Sequence, residues 1–552
     1  MKDIIASELH RILKEHMTLE EILETIEIPA DTSHGDFSFP TFKLAKIMRQ
    51  APPKIAANIA DEFDSSTVDE VKVIGGFLNF HLAHAKVAKS MLQDIISEDF
   101  GTSASLRDKT YVIDFSSPNI AKPFSMGHFR ATILGDALQK ILRQNSAKVI
   151  GINHLGDWGT QFGKLIVAYQ MWGDEEAVRS NPIPELFKLY VRINAEEKEN
   201  PTLADKGREA FSKLEQGDPE MHDLWFWFRT VSLDAFDVLY QRLNIHFDVI
   251  QGEAFYNDSL EHVSELLEEK KLLELDDGAY IVPIEDMPPA LIKKRDGSSL
   301  YITRDIAAVL YRKEHYNPDH ILYVVGHEQS VHFNQLREVI KKMEIDVDIE
   351  HIAFGLILKD GKKMSTRSGQ VLLLEDIIDE VKARVLEVMD EKGTTIVDKD
   401  QVAEKLAIGA LKYHDLKPDR NNSYSFNIDD MVSFEGDTAV YINYTNARIQ
   451  SILRKRERNI ALDSFNYEES MWPLINHLST FPSVLENAAS KYSPSLIARY
   501  VMQLCRHFNA YYGNTRIVSS VNVDSQMFLL DLVSKNIVEA FRLLGIEVVD
   551  AM

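Results

Sequence analysis

Residues 116–128, SSPNIAKPFSMGH, carry the signal that decides the fold. They follow the apolar run YVIDF at 111–115, which predicts a buried strand, and precede a helical pattern from His128 to Gln144. The run KVIGI at 148–152 predicts the next strand. This succession and its spacing predict a right-handed βαβ unit in a parallel sheet.

A second unit of the same kind follows later in the chain. HILYVVG at 320–326 predicts a strand, residues 332–343 a helix, and HIAFGLIL at 351–358 another strand. The mixed, charged sequence between the halves, at about 170–290, is interpreted as an insertion. We therefore expect a Rossmann-like parallel-sheet catalytic domain over residues 106–400, with ligands at the carboxyl ends of its strands.

The two ends of the chain have different patterns. Residues 1–105 combine helical spacing, a turn-rich 31–36, a helical stretch over 42–63 and a strand-like 76–82, which predicts a small N-terminal α+β domain. Residues 401–435 are interpreted as a connecting segment of helix and loop, and 436–552 as an all-helical C-terminal domain. The predicted fold class is thus a multidomain α/β protein.

Composition limits the class of protein. Of the 552 residues, 45% are hydrophobic and 26% charged, as in soluble globular chains. No uncharged apolar run approaches the ~18 residues of a membrane helix, and Asp3 and Glu8 interrupt any signal-like start. One cysteine, Cys505, excludes a disulfide framework and a multi-cysteine zinc site. We expect a cytoplasmic protein without membrane association.

The charge is unevenly distributed. The net charge of −24 argues against a general nucleic-acid coat, whose binding domain is usually basic. Residues 436–552, however, hold eleven basic and eleven acidic residues, so this part of the chain is neutral. Global acidity therefore limits non-specific binding of a polyanion without forbidding specific binding.

Two short motifs carry the chemistry. Gly127 lets a ligand approach the backbone closely, and His128 at a helix start can donate to an oxyanion. GKKMSTRSG at 361–369 offers cations and hydroxyls suited to a developing pyrophosphate. Taken singly, each has a more ordinary explanation, a loop with a buried histidine and a solvated basic turn. Their places at the ends of strands from two halves of one sheet favour a joint role.

Together the motifs resemble the HIGH and KMSKS signatures of class I aminoacyl-tRNA synthetases. The chain resembles the arginyl-tRNA synthetase family over essentially its full length. The stretches that carry this resemblance, besides the two motifs, are SHGDFSFP (33–40), NHLGDWGTQFGKL (153–165), YITRDIAA (301–308), VYINYTNARIQSILRK (440–455) and LLGIEVVDAM (543–552). The thirteen-residue stretch at 153–165 is far more specific than either short signature.

The resemblance implies an arginine–tRNA ligase. Its substrates would be L-arginine, tRNA(Arg) and ATP with Mg²⁺, without zinc, and the reaction would pass through arginyl-adenylate to the 2′-hydroxyl of the terminal adenosine. The implied catalytic residues are His128, Lys122, Lys363 and Arg367. The residues implied to bind ATP are Gly127, His128, Met364 and Ser365.

The sequence departs from the family signatures at two positions. Ser125 stands where the HIGH pattern has its first histidine, and Thr366 stands where KMSKS has its second lysine. In the family a lysine before the HIGH motif is thought to supply the missing charge, and Lys122 occupies that place.

Arginine presents a planar guanidinium that needs bidentate acceptors. The resemblance implies that Glu253, Tyr301 and Asp305 surround the guanidinium. It places Ser117 and Asn119 near the α-amino end of the substrate, with Gln329 close by. Alone, Asp305 is better explained as an acidic residue in the first turn of a helix.

Aromatic residues interleaved with arginine predict contacts to unstacked bases. The resemblance assigns these residues and the chain terminus to an anticodon-binding surface, namely Tyr441, Tyr444, Arg448, Phe508, Tyr512 and Met552. It also implies that Phe77 and Asn79 contact the tRNA D-loop. The usual explanation of such aromatic spacing is a helix core.

Other interpretations stay open at this stage. His154, Asp157 and Trp158 are interpreted as structural, because they offer too few ligand types for a metal site, and no metal site is predicted. A non-catalytic tRNA-binding paralogue and another ATP-dependent adenylate-forming ligase are the alternative functions. A monomer is expected, since no dedicated dimer element is visible.

Overall fold

The structure of the chain is a computed structural model that describes residues 1–29, 31–294, 301–359, 362–363, 373–394, 396–517 and 520–552. In these residues no helix is both long and apolar enough to cross a membrane.

The N-terminal region contains five helices and a three-stranded sheet. Its elements are α1 Lys2–Leu13, α2 Leu19–Thr25, β1 Phe37–Pro40, α3 Phe42–Met48, α4 Pro52–Glu62, β2 Val68–Ile74, β3 Phe77–Leu82 and α5 His84–Ile95. Strand β3 lies between β1 and β2 and is antiparallel to both. The expected helical stretch over 42–63 is two helices, because Arg49 adopts a left-handed φ of 52° and Pro52 starts a new helix.

The central region alternates strands and helices around the predicted insertion. Its elements are β4 Thr110–Asp114, α6 Met126–Gln144, β5 Lys148–Asn153, α7 Thr160–Trp172, α8 Glu175–Ser180, α9 Pro182–Glu196, α10 Thr202–Glu215, α11 Pro219–Arg242, β6 Val249–Ile250, α12 Leu260–Glu269, β7 Glu274–Asp276, β8 Ala279–Val282, β9 Ala290–Lys293, α13 Tyr301–Tyr316, β10 His320–Tyr323, α14 Ser330–Lys342 and β11 Asp348–His351.

Five of these strands form the predicted parallel sheet. Their order is β11-β10-β4-β5-β6, and each neighbouring pair is parallel. The order reverses between β4 and β10, so the loops after these two strands leave the sheet at the switch point where open α/β sheets bind ligands. The insertion contributes α8–α11 and, after β6, the separate antiparallel sheet β7-β8-β9.

Helix α6 approaches the sheet unusually closely. A Cβ on Gly135 would lie 2.3 Å from the Cβ of Phe115, the buried residue that follows β4. Real Cβ atoms do not approach carbon this closely, so glycine is required where the helix crosses the end of the strand. This contact fixes the height of the α6 N-terminus above the sheet edge.

The expected strand over 351–358 is wrong as a single element. Strand β11 ends at His351, and Ile357 begins a strand of another small sheet. The remaining elements are β12 Ile357–Lys359, β13 Lys362–Lys363, α15 Leu374–Glu391, α16 Lys399–Leu416, β14 Tyr424–Ser425, α17 Ile428–Val432, α18 Ala439–Leu453, α19 Trp472–Ser479, α20 Phe481–Ser490, α21 Ser495–Asn514 and α22 Val523–Leu543. Strand β12 pairs with β13 and β14, so part of the polar stretch 415–427 is a strand.

The chain divides into two compact units. One comprises Met1–Phe100, Arg456–Thr480 and His507–Leu532 and contains the N-terminal sheet. The other comprises Gly101–Lys455, Phe481–Arg506 and Val533–Met552 and contains the parallel sheet. After residue 436 every named element is helical, which confirms the helical C-terminal region, and the fold class predicted from sequence is confirmed.

Candidate active site

A cleft of about 790 Å³ opens at the carboxyl ends of β4 and β10. Its walls come from the loop after β4, the first turn of α6, the segment after β10 and residues 354–357. A cleft of this size accommodates a nucleotide or a drug-sized molecule. The cleft therefore coincides with the ligand edge that the sequence predicted, and Ser117, Asn119, Gly127, His128 and Gln329 line it.

The loop after β4 is held in an unusual backbone conformation. Ser116, Ser117 and Ala121 have φ values of 73°, 49° and 58°, a region that residues other than glycine seldom adopt. Hydrogen bonds compensate the strain, since Ser116 Oγ lies 2.7 Å from Tyr240 Oη and the Ala121 N–H donates to Ser232 Oγ at 3.0 Å. Helix α11 of the insertion supplies both partners and so shapes the cleft.

A buried ion pair lies beneath this loop. Arg312 Nη2 donates to Asp114 Oδ2 at 2.7 Å, and both residues are buried. The other carboxylate oxygen, Oδ1, accepts from Ser117 Oγ at 3.0 Å. Asp114 thus fixes the side chain of Ser117, one of the residues predicted to contact the amino acid.

Ser125, the departure from the HIGH pattern, caps α6. Its side chain accepts from the N–H of His128 at 3.4 Å, while its own N–H donates to His128 Nδ1 at 3.2 Å, which forms a capping box. Because Nδ1 accepts this hydrogen bond, the imidazole proton is assigned to Nε2. The histidine therefore has a donor at its free ring nitrogen, available to an anion in the cleft.

His128 is neutral at physiological pH. Burial, and after it the charge of Lys122, lowers its pKa to about 4. The Phe124 ring meets the imidazole edge-on at 5.4 Å. The side chain therefore offers a neutral N–H donor to a phosphate and supplies no positive charge.

Lys122 supplies the cation near His128. Its Nζ donates to Gln161 Oε1 at 2.9 Å and lies 4.9 Å from the centroid of the Tyr190 ring. Burial lowers its pKa, and no carboxylate lies within ion-pair distance of it in the described part of the chain. A lysine held by an amide and an aromatic face keeps its charge uncompensated for a ligand.

Glu253 and Asp305 are the predicted guanidinium acceptors, and the charge of Asp305 affects the pKa of Glu253. Burial, opposed by the charge of Arg304 and reinforced by those of Asp305 and Asp157, raises the pKa of Glu253 to about 8. His332, which the sequence analysis did not single out, contacts Asp305 through Nε2 and Oδ2 at 2.6 Å. Tyr301, at the start of α13, is 63% exposed. The charge of Asp305 thus acts on Glu253, while His332 contacts the Asp305 carboxylate.

Arg130 lies at the cleft wall and was not singled out by the sequence analysis. It is fully buried at the cleft wall, and its Nη1 donates to the Gly355 carbonyl at 2.8 Å, its Nη2 to the Asn422 carbonyl at 3.1 Å. Its Nε lies 3.3 Å from Asp415 Oδ1. The available signal was an arginine inside an otherwise apolar helix face, since such a charge is seldom buried without partners.

Buried hydrogen bonds hold the HLGDWG segment, which the sequence analysis interpreted as structural. Asp157 is buried, its Oδ2 accepts from Arg229 Nε at 2.9 Å, and its Oδ1 accepts from the Ala254 N–H at 2.9 Å. These bonds connect the loop after β5 to the segment that carries Glu253. No cluster of three or more potential metal ligands occurs among the residues that the structure describes.

The predicted residues of the second motif lie mostly outside the described residues. Met364, Ser365 and Arg367 lie outside the described residues, and so does Thr366, the departure from the KMSKS pattern. Lys363 is described through its backbone, which pairs with Leu358 of β12. The motif begins within this small sheet, at β13, rather than after a strand of the parallel sheet, which corrects the expected position.

Helix α18 carries the first predicted tRNA-binding group. Tyr444 is 38% exposed, and the Arg448 guanidinium lies 4.8 Å from the centroid of its ring. Tyr441 is partly buried in the first turn of the same helix. An exposed tyrosine stacked with arginine provides a surface on which a base can stack. The chain terminus, Met552, is partly exposed.

The remaining predicted RNA contacts differ in exposure. Tyr512 on α21 is 41% exposed, but Phe508 is fully buried and stacks beneath it at 5.8 Å. Phe508 therefore supports Tyr512 and presents no ring face to a base in this conformation. In the N-terminal sheet, Phe77 packs on Phe42, and Asn79 is only 3% exposed, which leaves its side chain little surface for a ligand.

Family models match three consecutive parts of the chain. Residues 91–428 match the model described as tRNA synthetases class I (R), catalytic domain. Residues 442–552 match the DALR anticodon binding domain, and residues 1–82 the arginyl tRNA synthetase N terminal domain. With the parallel sheet and its cleft, these matches define a class I aminoacyl-tRNA synthetase.

Relatives and solved structures agree with this assignment. The chain is 46% identical to an arginine–tRNA ligase of Exiguobacterium sibiricum over 99% of its length and 98% of the relative's, and 46% identical over both full lengths to one of Streptococcus suis. The arginyl-tRNA synthetase of Plasmodium falciparum superposes with a TM-score of 0.84 at 25% identity, covering 100% of this chain and 98% of the other. That of Thermus thermophilus shares the fold, with a TM-score of 0.83 at 21% identity and full coverage of both chains. The chain belongs to the arginyl-tRNA synthetase family.

Proposed function

We propose that this enzyme joins L-arginine to tRNA(Arg) at the expense of ATP. The arginine carboxylate attacks the α-phosphate of Mg²⁺-bound ATP, which gives arginyl-adenylate and releases diphosphate. The 2′-hydroxyl of the terminal adenosine then attacks the activated carbonyl and releases AMP. Family membership does not favour the two alternatives, a non-catalytic paralogue and another adenylate-forming ligase.

One observation carries the proposal. A neutral N–H donor, His128 Nε2, and an uncompensated cation, Lys122, lie at the same edge of the sheet as the cleft. The carboxyl pair Glu253 and Asp305 provides acceptors for a guanidinium in the same unit. Hydrogen-bond donors for a phosphate and acceptors for a guanidinium in one unit suit the activation of arginine by ATP.

Each predicted group has a distinct role in this reaction. His128 donates to a phosphate oxygen as negative charge develops, and Lys122 stabilises the same charge. We assign Gly127, Met364 and Ser365 to ATP and Lys363 and Arg367 to the leaving diphosphate. For arginine, we assign Glu253, Tyr301 and Asp305 to the guanidinium, and Ser117, Asn119 and Gln329 to its α-amino end. Positioning supplies most of the remaining rate enhancement.

The tRNA contacts extend the proposal to the rest of the chain. We assign Tyr441, Tyr444, Arg448, Tyr512 and Met552 to the anticodon-binding surface, with Phe508 as the support of Tyr512. Phe77 and Asn79 are assigned to the D-loop. The domain boundaries proposed for these roles are 1–105, 106–400, 401–435 and 436–552, and we propose a cytoplasmic monomer.

Aminoacylation of total tRNA with each of the twenty amino acids tests the function. Arginine should be the only amino acid that is attached, and attachment should require ATP. The Lys122→Ala variant, run in parallel, identifies background activity from a contaminating ligase. Attachment of another amino acid, or none, with intact protein would overturn the proposal.

We expect Asp305→Asn to raise the KM for arginine far more than the KM for ATP. The amide keeps the shape of the carboxylate but removes its charge, so the bidentate pair with the guanidinium is lost. A charge-assisted hydrogen bond contributes about 1.5–3 kcal/mol, so KM should rise about tenfold or more. Steady-state kinetics with each substrate varied measure the difference, and equal effects on both substrates would indicate a structural role.

Arginine affinity should rise with pH between about 7 and 8.5. Glu253, whose pKa is raised to about 8, holds a proton in the free enzyme at pH 7, and a bound guanidinium favours its ionised form. Binding therefore releases a proton, which calorimetry in buffers of different ionisation enthalpy detects. Glu253→Gln should abolish this release.

The same raised pKa also affects the stability of the free enzyme. Between pH 4.5 and 8 the folded state holds a proton on Glu253 that the unfolded state lacks. This contribution to stability is therefore present at low pH and is lost as the pH rises through 8. The control variant Glu253→Gln should lose this pH dependence, too.

Lys122→Ala should sharply reduce adenylate formation, and Thr366→Lys should restore part of the activity. The second lysine of the KMSKS pattern is Thr366 here, so another cation must stabilise the negative charge on the transferred phosphate. Restoration is expected only if both positions act on one charge, which a double-mutant cycle measures. Near-normal activity of Lys122→Ala would contradict the compensation.

A further inference from the structure

One face of helix α11 lies against the loop between β4 and α6, residues 115–125, which we call the cleft loop. Ser232, Phe236 and Tyr240 are spaced by four residues, so they share one face of the helix, and all three are buried. The cleft-loop residues that this face contacts are Ser116, Ala121 and Phe124. A single helix of the insertion therefore holds the cleft loop at three points along its length.

The hydroxyl of Tyr240 lies inside a continuous chain of hydrogen bonds. It accepts from Asn153 Nδ2 at 3.0 Å and lies 2.7 Å from Ser116 Oγ. Ser116 Oγ in turn lies 2.7 Å from Thr132 Oγ1, which donates to the carbonyl of His128 at 2.6 Å. The chain thus connects the end of β5, through the insertion helix and the cleft loop, to the first turns of α6.

The Tyr240 hydroxyl is the donor to Ser116 in this chain. Asn153 Nδ2 can only donate, so the phenol oxygen accepts there, and its single proton is directed to Ser116 Oγ. Burial raises the pKa of Tyr240, so the phenol keeps this proton. Loss of the hydroxyl would leave the buried Asn153 amide without this acceptor and Ser116 without this donor.

The cleft loop depends on such support because its backbone is strained. The φ values of Ser116 (73°) and Ala121 (58°) persist only where the surrounding structure enforces them. Tyr240 bonds the first of these residues, and Ser232 Oγ accepts from the N–H of the second at 3.0 Å. Ser117 lies between them, has a φ of 49° and lines the cleft. Its place at the cleft therefore depends on hydrogen bonds that α11 supplies.

We propose that Tyr240 and Ser232 are positioning residues for arginine recognition. From one face of α11 they hold Ser116 and Ala121 in the left-handed conformation, and this conformation keeps Ser117 at the cleft. Helix α11 thereby acts on the arginine site without contacting arginine. This inference rests on the proposed function, because Ser117 is assigned there to the α-amino end of arginine.

Tyr240→Phe removes only the hydroxyl and retains the ring contacts with Phe124 at 5.8 Å and Phe247 at 4.9 Å. The KM for arginine should rise about tenfold, because the loop conformation that binds arginine loses a buried hydrogen bond. The KM for ATP should stay within twofold, since the capping box that holds His128 is untouched. Diphosphate exchange into ATP, with tRNA present and each substrate varied, measures both constants. An unchanged KM for arginine, or an equal rise in both constants, would overturn the proposal.

A double-mutant cycle with Ser116→Gly tests whether Tyr240 acts through the cleft loop. Glycine adopts a φ of 73° without strain and offers no hydroxyl to the phenol. In the Ser116→Gly background, Tyr240→Phe should therefore change the KM for arginine less than twofold. An equal rise in this KM in both backgrounds would show that the hydroxyl acts elsewhere and would overturn the proposal.

Ser232→Ala is a second, independent variant. It leaves the N–H of Ala121, a residue only 2% exposed, without its acceptor. The KM for arginine should rise several-fold while the KM for ATP stays within twofold, the same difference as in Tyr240→Phe. A KM for arginine at the wild-type value would overturn the role of Ser232.

Tyr413→Phe is the matched control for the loss of a buried hydroxyl. Tyr413 is buried in the same unit, and its hydroxyl donates to Asp437 Oδ1 at 2.7 Å. Its removal should lower the unfolding temperature, as should Tyr240→Phe, but it should leave the KM for arginine unchanged. An equal rise in this KM would show a general effect of destabilisation and would overturn the proposal. Failure of the wild-type enzyme to charge arginine would instead overturn the proposed function.

Discussion

His128→Ala should lower the rate of adenylate formation by about 10²–10³, the usual cost of one lost transition-state donor. The imidazole is neutral and His128 lines the cleft, so the change removes the Nε2–H donor that we assign to developing charge. Arginine-dependent exchange of diphosphate into ATP, with tRNA present, measures the loss.

His128→Gln is the informative companion, because its side-chain amide also carries a donor. It should retain more activity than His128→Ala. The KM for arginine should change little in either variant, since the carboxyl pair is untouched. A diphosphate-exchange rate in His128→Ala within threefold of the wild-type rate would contradict the assignment of His128 as a transition-state donor.

Gly135→Ala should destabilise the catalytic unit by about 3 kcal/mol or more, at the upper end of overpacking effects. The new methyl would lie 2.3 Å from the Cβ and Cγ of Phe115, and rotation of the Phe115 side chain cannot move its Cβ away. Loss of soluble yield and a lower thermal unfolding temperature measure the effect.

Gly127→Ala in the same helix is the matched control for packing. The atom nearest to its new methyl would be Ser125 Oγ at 3.6 Å, an ordinary contact. Alanine favours a helix over glycine by about 1 kcal/mol, so stability should be kept or slightly raised. Its activity should fall, since residue 127 lines the cleft. A stable Gly135→Ala variant would show that α6 can shift away from the sheet.

The parts of the fold that sequence predicted are those with local signals. The strand at 110–114 and the helix that follows the Gly127–His128 pair depend on apolar periodicity and a capping serine, both readable over a few residues. The small sheet depends on pairing Ile357 with Tyr424, and no local pattern contains such a non-local contact. The strand expected over 351–358 was wrong because the backbone from Gly355 onward bonds to a different segment: the Gly355 N–H donates to the Arg420 carbonyl at 2.9 Å, and Ile357 pairs with Tyr424.

The candidate site was predicted to a similar extent. Ser117, predicted through the family resemblance, and His128, predicted at a strand end, both line the cleft, because the topology gathers the loops after β4 and β10 at one edge. His332 was not found, since its contact with Asp305 joins two helices, α13 and α14, that are separate in sequence. The burial of Phe508 is also a tertiary property, because an aromatic residue on a helix has the same spacing whether it faces solvent or core.

The buried guanidinium of Arg130 has a consequence for recombination between relatives. It connects α6 to the carbonyl of Asn422 and to the carboxylate of Asp415, so residues 415–425 support the wall of the cleft from behind although they precede the C-terminal helices. A chimera joined before Asp415 would combine Arg130 with a foreign set of acceptors. A junction placed after Ser425 keeps these contacts of Arg130 intact. The C-terminal helices of this protein can therefore be replaced by those of a relative at a junction beyond β14.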